Sequence, residues 1–440
     1  MLCTINRKIM ALVQKISKQN SFILLIVFAW FPFWAFATSK QDTLKINLAN
    51  AEKTFMDSNL QIIAQKLNVD ATRALIIQAK LYPNPNFNFT QAAYHPETNK
   101  WFELGADAEE AYQVSQLIVL SHKIKKQVHI AESNYKLAED NLYDLLRTLK
   151  YGLRSTFYNI YYLQQTAKVY QEEIDALKKV VAAYKEVQGK GYVAESEIVQ
   201  VQAQLYSLQS EYQGVIDNIN DQESQFRLFL QTKPNFYYIP EVNNTLMDQD
   251  VTTVSIKTLL DSAEAHRTDL MIARDNLLLA HQNYTLQKAL AVPDLTVGLN
   301  LDRHGSYYTD FNSLSLGIDI PIFNRNQGNI KNARILVDYN KADLELTEKT
   351  TDEQVARGLQ KAIDADRLYK EMDTGFSHHF DRLAKEMLDN YMKRNVNLLT
   401  FLTFYDSYKQ NVVQFNTILN NKVAALESLN YLTGTDFYNK

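Results

Sequence analysis

Residues able to do chemistry are scattered through this chain, and their spacing assembles none of the usual reacting sets. Eight histidines occur in 440 residues, and His378-His379 is the only adjacent pair. Neighbouring helix positions point about 100° apart, so the pair is a poor joint ligand for one metal ion and reads as helix surface. No phosphate-cradling glycine loop, nucleophile elbow or paired-histidine zinc motif occurs. Carboxylates such as Asp364 and Asp366 are numerous and dispersed, and read as solvated helix faces rather than a reacting pair. No catalytic residue, cofactor site or metal site is expected. What remains is the chemistry of a lining. Asn300, Asp302 and Asp319 sit at alternate positions where a row of polar groups would face water, the two acids favouring cations.

The elements carrying that row stand out from their surroundings. In Leu295–Phe323, LTVGLNLDRHGSYYTDFNSLSLGIDIPIF, two alternating runs flank a loop rich in Gly, Asp and Tyr. Leu295, Val297, Leu299 and Leu301 share one face, and Thr296, Gly298, Asn300 and Asp302 the other. Leu314, Leu316, Ile318 and Ile320 repeat the pattern against Ser315, Gly317 and Asp319, which predicts a β-hairpin. An earlier copy of the arrangement exists. Prolines 85 and 293 lie 208 residues apart, each closing a helical run and opening a strand. The earlier strands are expected at about Asn86–Tyr94, weakened by Gln91, and Glu110–Val119.

Long helices follow each hairpin. From Ser121 to Gln188 there is no proline and one glycine, Gly152, and the series Ile198, Val201, Leu205, Leu208, Tyr212, Val215, Ile219 keeps coiled-coil spacing. Each half therefore reads as helix, hairpin, long helix, reversal and return helix. The first covers 38–231, a linker-like stretch 232–255, and the second 256–440. The reversals are expected at Gln188–Tyr192 and Lys393–Asn397.

The N-terminus predicts export. Arg7, Lys8, Lys15 and Lys18 precede the apolar run Phe22–Ala37, which ends in the cleavage signal Ala35-Phe36-Ala37, so residues 1–37 read as a signal peptide rather than a membrane anchor. Its removal would leave 42 Lys+Arg (46 less those four) against 50 Asp+Glu, a net charge of −8, and would take away Cys3, the only cysteine. An exported chain without cysteine folds without disulfides. Mild, dispersed acidity argues against nucleic acid as a partner.

Strands of about nine residues with one apolar face suit a tilted membrane span, with Tyr307, Tyr308, Phe311 and Phe323 as interfacial aromatics. Lipid tolerates no open sheet edge, and four strands cannot close a barrel, so chains would have to pool strands. Two chains give eight, whose interior side chains fill; three give twelve and a lumen. The competing reading is an exported coiled-coil structural or adhesion protein whose hairpins dock on a partner.

At this point the chain resembles the TolC family of outer-membrane efflux channels over nearly all of its mature length. The resemblance is carried by the twofold repeat, by Leu81-Tyr82-Pro83-Asn84-Pro85, by Gln116-Leu117-Ile118 leading to Ser121-His122-Lys123, and most specifically by Pro321-Ile322-Phe323-Asn324-Arg325-Asn326-Gln327-Gly328. The Ser121-His122-Lys123 region is most similar to members serving heavy-metal pumps. The resemblance implies a mainly α fold with two β-hairpins per chain. Three copies would build a twelve-stranded barrel in outer-membrane lipid and a periplasmic barrel of long coiled-coil helices. The homotrimer would be a passive exit for small molecules or metal ions, joined to a periplasmic adaptor and an inner-membrane pump of the resistance-nodulation-division type; a type I secretion duct is the alternative. At the helical tips, Gly191, Glu197, Ile198 and Val199 match the family's pattern, whereas Asn395 replaces the second glycine. Phe401 and Phe404 stand where acids are common, so in place of an acidic ring Phe401 either forms a hydrophobic constriction that would gate by dewetting or packs with Phe404 inside the helical hairpin.

Overall fold

The computed structural model describes residues 42–438 apart from 96–98, 104–107, 189–193, 244–246, 305–307 and 373. The expected signal peptide and Gly191 lie outside the described residues, as do the side chains of His378 and His379. Leu44–Pro234 and Tyr238–Lys440 make one compact unit. Strands β1 (Asp42–Asn47) and β6 (Phe236–Glu241) pair as a two-stranded sheet, so the linker-like stretch carries a strand as well as a short 3-10 turn at Val251–Thr253.

Helices α1 (Leu48–Ser58) and α2 (Leu60–Ala79) are divided at Asn59, whose side chain accepts hydrogen bonds from the Gln61 and Ile62 N–H groups. A cap of this kind satisfies donors that the opening turn of a helix leaves free. In the second half α5 (Ile256–His266) and α6 (Thr268–Leu290) are divided at Arg267. Positions 59 and 267 are 208 apart, the offset of the two prolines, so the repeat extends to where the chain bends.

Helix α3 (Lys123–Gln188) runs unbroken for 66 residues, ~100 Å at ~1.5 Å per residue. Gly152 lies within it because a Cβ there would come within 2.9 Å of the Phe229 ring. The chain returns in α4 (Glu195–Leu230). The second half differs. Its long helix is cut into α7 (Gln327–Glu371) and α8 (Thr374–Met392), with Met372 extended at φ −76°, ψ 136°. The sequence Asp373-Thr374-Gly375 supplies residue types that favour caps and turns over helix interior. Helix α9 (Leu398–Thr433) returns.

Helix α3 packs against α2, α4, α6 and α9, and α7 packs against α6 and α9. The predicted coiled-coil positions Ile198, Val201, Leu205, Leu208 and Ile219 are buried, as spacing requires. One expectation is corrected. Asp364 is exposed, but Asp366 is buried on α7 with its carboxylate 2.8 Å from the Lys422 ammonium of α9. Lys422 also donates to the Met247 carbonyl at 2.7 Å and lies over the Tyr369 ring. A buried carboxylate is retained where a cation and further hydrogen bonds offset its lost hydration. Tyrosine also supplies core: Tyr158, Tyr162, Tyr170, Tyr391, Tyr405 and Tyr408 are buried in helices.

The two hairpins merge into one antiparallel sheet, ordered β2 (Asn86–Gln91), β5 (Glu110–Ile118), β7 (Leu295–Arg303) and β8 (Phe311–Ile318). A small hairpin, β3 (Tyr94–His95) with β4 (Lys100–Trp101), lies in the first loop. Strand β2 stops three residues short of the expected Tyr94, after the Gln91 that weakened its alternation.

Candidate functional site

The sheet has its burial inverted. In the register Phe87–Val114–Leu299–Leu314, every side chain of the apolar row is exposed, at 65%, 47%, 62% and 65%. The next row, Asn88–Gln113–Asn300–Ser313, lies on the opposite face, where Asn300 is half-buried and donates to the Ser313 hydroxyl at 3.3 Å. Asp302 shares that polar face and is also half-buried. Asp319 is exposed and falls one residue beyond β8, which ends at Ile318 rather than Ile320. Water-soluble sheets turn their apolar face to a core; this one offers it to its surroundings. Strands β2 and β8 are each paired along one edge only among the described residues. Exposed Tyr308 and Phe311 mark the loop end, and Phe323, 91% exposed, the opposite end.

The sheet is fastened to the helices by the motifs that stood out in the sequence. Ser121 and His122 both adopt left-handed backbone, φ 57° and 55°, and turn β5 into α3. Lys123, at the start of α3, is buried; its ammonium lies 2.7 Å from Asp294 and donates to the Val292 carbonyl at 2.6 Å. Asp294 also accepts from the Leu120 N–H. Burial alone would raise its carboxyl, but the bonds from Lys123 and Leu120 hold it below the ordinary carboxylate range. The Gln116 amide reaches the Pro83 carbonyl at 2.9 Å. In the 321–328 motif, Asn326 takes φ 58° at the head of α7 and its amide donates to the Gln287 carbonyl of α6 at 2.8 Å. Asn324, Arg325 and Gln327 close the same turn on themselves. These residues hold geometry; they form no ligand site.

At the helical tip, Glu197 is half-buried in the first turn of α4 beside Tyr184, while Ile198 is core and Val199 is 57% exposed. Asn395 is exposed and held to Asn390 by two hydrogen bonds. The left-handed residue of this reversal is Arg394, φ 62°, one place before the glycine-replacing Asn395. Asn397 caps α9 through the Thr400 N–H. The Phe401 side chain is fully buried in the packed arrangement, stacked on Tyr391 at 4.2 Å and beside Tyr405 at 4.8 Å. Phe404 is half-buried against the same cluster. The hydroxyls of Tyr184 and Tyr391 bond across α3 and α8, a contact no local pattern announced. Burial pushes the Tyr405 phenol up to about 12.

Among the described residues, no group of three or more His, Cys, Asp or Glu is placed to hold a metal ion, and no helix is long and apolar enough to cross a membrane. The latter says nothing of strands.

No protein-family model matches the chain. It is 22% identical over 290 residues to the cobalt-zinc-cadmium resistance protein CzcC of Cupriavidus metallidurans, and the match covers 63% of each chain, less than two thirds of the curated relative. Among solved structures it is similar to the Campylobacter jejuni CmeC outer membrane channel, with TM-score 0.71, 15% identity, and coverage of 89% of this chain and 86% of that one. It is similar also to CusC, with TM-score 0.68, 15% identity, and coverage of 92% and 96%. These likenesses show the fold.

Proposed function

We propose that this chain, whose fold is that of the TolC-family outer-membrane channels, is the protomer of a passive exit duct in the outer membrane. The observation that carries the reading is the inverted sheet: its apolar row is exposed, Asn300 and Asp302 on the opposite face are half-buried, and β2 and β8 each keep one edge unpaired among the described residues. In lipid an unpaired edge leaves backbone donors and acceptors without partners, so β2 of one chain must meet β8 of another. Three chains supply twelve strands, and the polar rows with Asn300 and Asp302 then line water. Helices α3, α4, α7, α8 and α9 continue the duct on the periplasmic side. Their tips, which carry Glu197 and Asn395, meet a periplasmic adaptor bound to an inner-membrane pump. The relative's resistance name makes divalent metal ions the first cargo to test, and the two acids, Asp302 and Asp319, suit cations.

The test is the protein mass of the detergent-purified chain by micelle-corrected light scattering, followed by conductance in planar bilayers. A trimer that conducts supports the duct. A stable non-conducting monomer would leave the strands unable to close and overturn it.

A further inference from the structure

About 15 residues before the described end of α3, ~22 Å along its axis, Glu173 is 1% exposed and its Oε2 has no hydrogen-bond partner. Among the described residues, the cation acting on it is Lys409 of α9, itself 6% exposed. That ammonium is already engaged, 2.8 Å from Glu211 of α4 and 3.2 Å from Asp406 of α9. Tyr170, on α3, donates its hydroxyl to Glu211 at 3.2 Å, and Tyr405 of α9 donates to the Ala384 carbonyl of α8. Asp389 of α8 faces Tyr405. Three carboxylates thus surround one ammonium where three helices meet.

We propose that Glu173 is the proton-operated element of a clasp that holds α3 against α4 and α9, closed while Glu173 is protonated and loosened when it ionises. The charge count carries this. With Glu211 and Asp406, both partly exposed, already on Lys409, a third anion at the buried Glu173 has no partner and its hydration is lost. Burial, with Asp406 and Glu211 adding to it against Lys409, pushes the Glu173 carboxyl up to about 8. The sign follows. Between the ordinary value of 4.5 and about 8 the closed clasp binds the proton and the opened, hydrated state does not. Opening is therefore favoured about tenfold per pH unit across that window and levels off above it. The clasp sits on the helices that run to the reversal, so it ties the order of that end to periplasmic pH. It does not depend on the strands being pooled.

The experiment is hydrogen exchange of the full chain in detergent, read on the segments around Glu173 and Lys409 as the ratio of wild type to Glu173→Gln at each pH, which cancels the intrinsic pH dependence. Glutamine imitates the protonated side chain. The expected ratio rises about tenfold per unit above pH ~5 and flattens near ~8. A flat ratio from pH ~5 to ~9 overturns the proposal. Should Glu173→Gln not fold, the infrared band of protonated carboxyls is followed in wild type and in Glu211→Gln, whose site is partly exposed. A titration near ~8 that moves lower when Glu211 is neutralised supports the clasp; absence of the band, or an unmoved midpoint, overturns it.

Discussion

Leu299 is the fifth of nine residues in β7, 62% exposed, with exposed Val114 and Leu314 on either side in register. The same exposure has opposite consequences in two solvents. In water, replacing an exposed leucine by arginine shifts stability within about 0.5 kcal/mol. At the midplane of a bilayer, arginine on the outer face of a barrel strand costs ~2–4 kcal/mol. A closed trimer carries the change three times, roughly 6–12 kcal/mol, comparable with the ~5–15 kcal/mol that separates a typical folded protein from its unfolded chain. Leu299→Arg should therefore abolish or nearly abolish heat-modifiable trimer in the outer-membrane fraction, and lower the urea midpoint of any trimer refolded into liposomes. The control is its neighbour. Asn300→Arg points to the half-buried polar face, and should leave trimer yield near wild type while lowering cation conductance. Leu299→Arg trimers as stable as wild type, or Asn300→Arg as the more damaging change, would refute the assignment of faces and with it the barrel.

Three further substitutions test the helices. Phe401→Ala removes a fully buried ring from between Tyr391 and Tyr405 and should cost ~3–5 kcal/mol by denaturant unfolding; single-channel conductance should not increase, as it would if Phe401 constricted a pore. Lys422→Met removes one of the two ammonium groups on the buried Asp366 carboxylate, the other being Lys370 at 2.7 Å, and should destabilise by ~1–3 kcal/mol. The double change Asp366→Leu with Lys422→Met should recover much of that loss in the same unfolding assay. Gly434 ends α9 at φ 71°, where a Cβ would meet the His266 carbonyl oxygen at 2.8 Å. Gly434→Ala should cost more than the ~1–2 kcal/mol of left-handed backbone alone, seen as a lowered thermal midpoint.

Much of this fold is recorded locally. Alternation at Leu295–Leu301 announced a strand, and the 3-4 spacing from Ile198 announced a packed helix, because side-chain direction repeats every 2 residues in one and every ~3.6 in the other. The cap at Asn59 is equally local, and so are the cap-favouring residue types that follow Met372, where α7 ends. The polar rows of the candidate lining were legible for the same reason; the partners that bury the tip aromatics were not.

Sequence by itself determined the element types, the twofold repeat, and the presence of strands with one apolar face. The tertiary structure decided which residues those faces meet. It joined β5 to β7 across more than 170 positions of chain, put Phe401 inside the helical hairpin, and gave Asp366 a buried lysine from α9. A charged or aromatic residue looks alike in sequence whether it faces solvent, a lumen or a core. Burial is set by non-local contacts, and only the packed helices and the paired strands fix those.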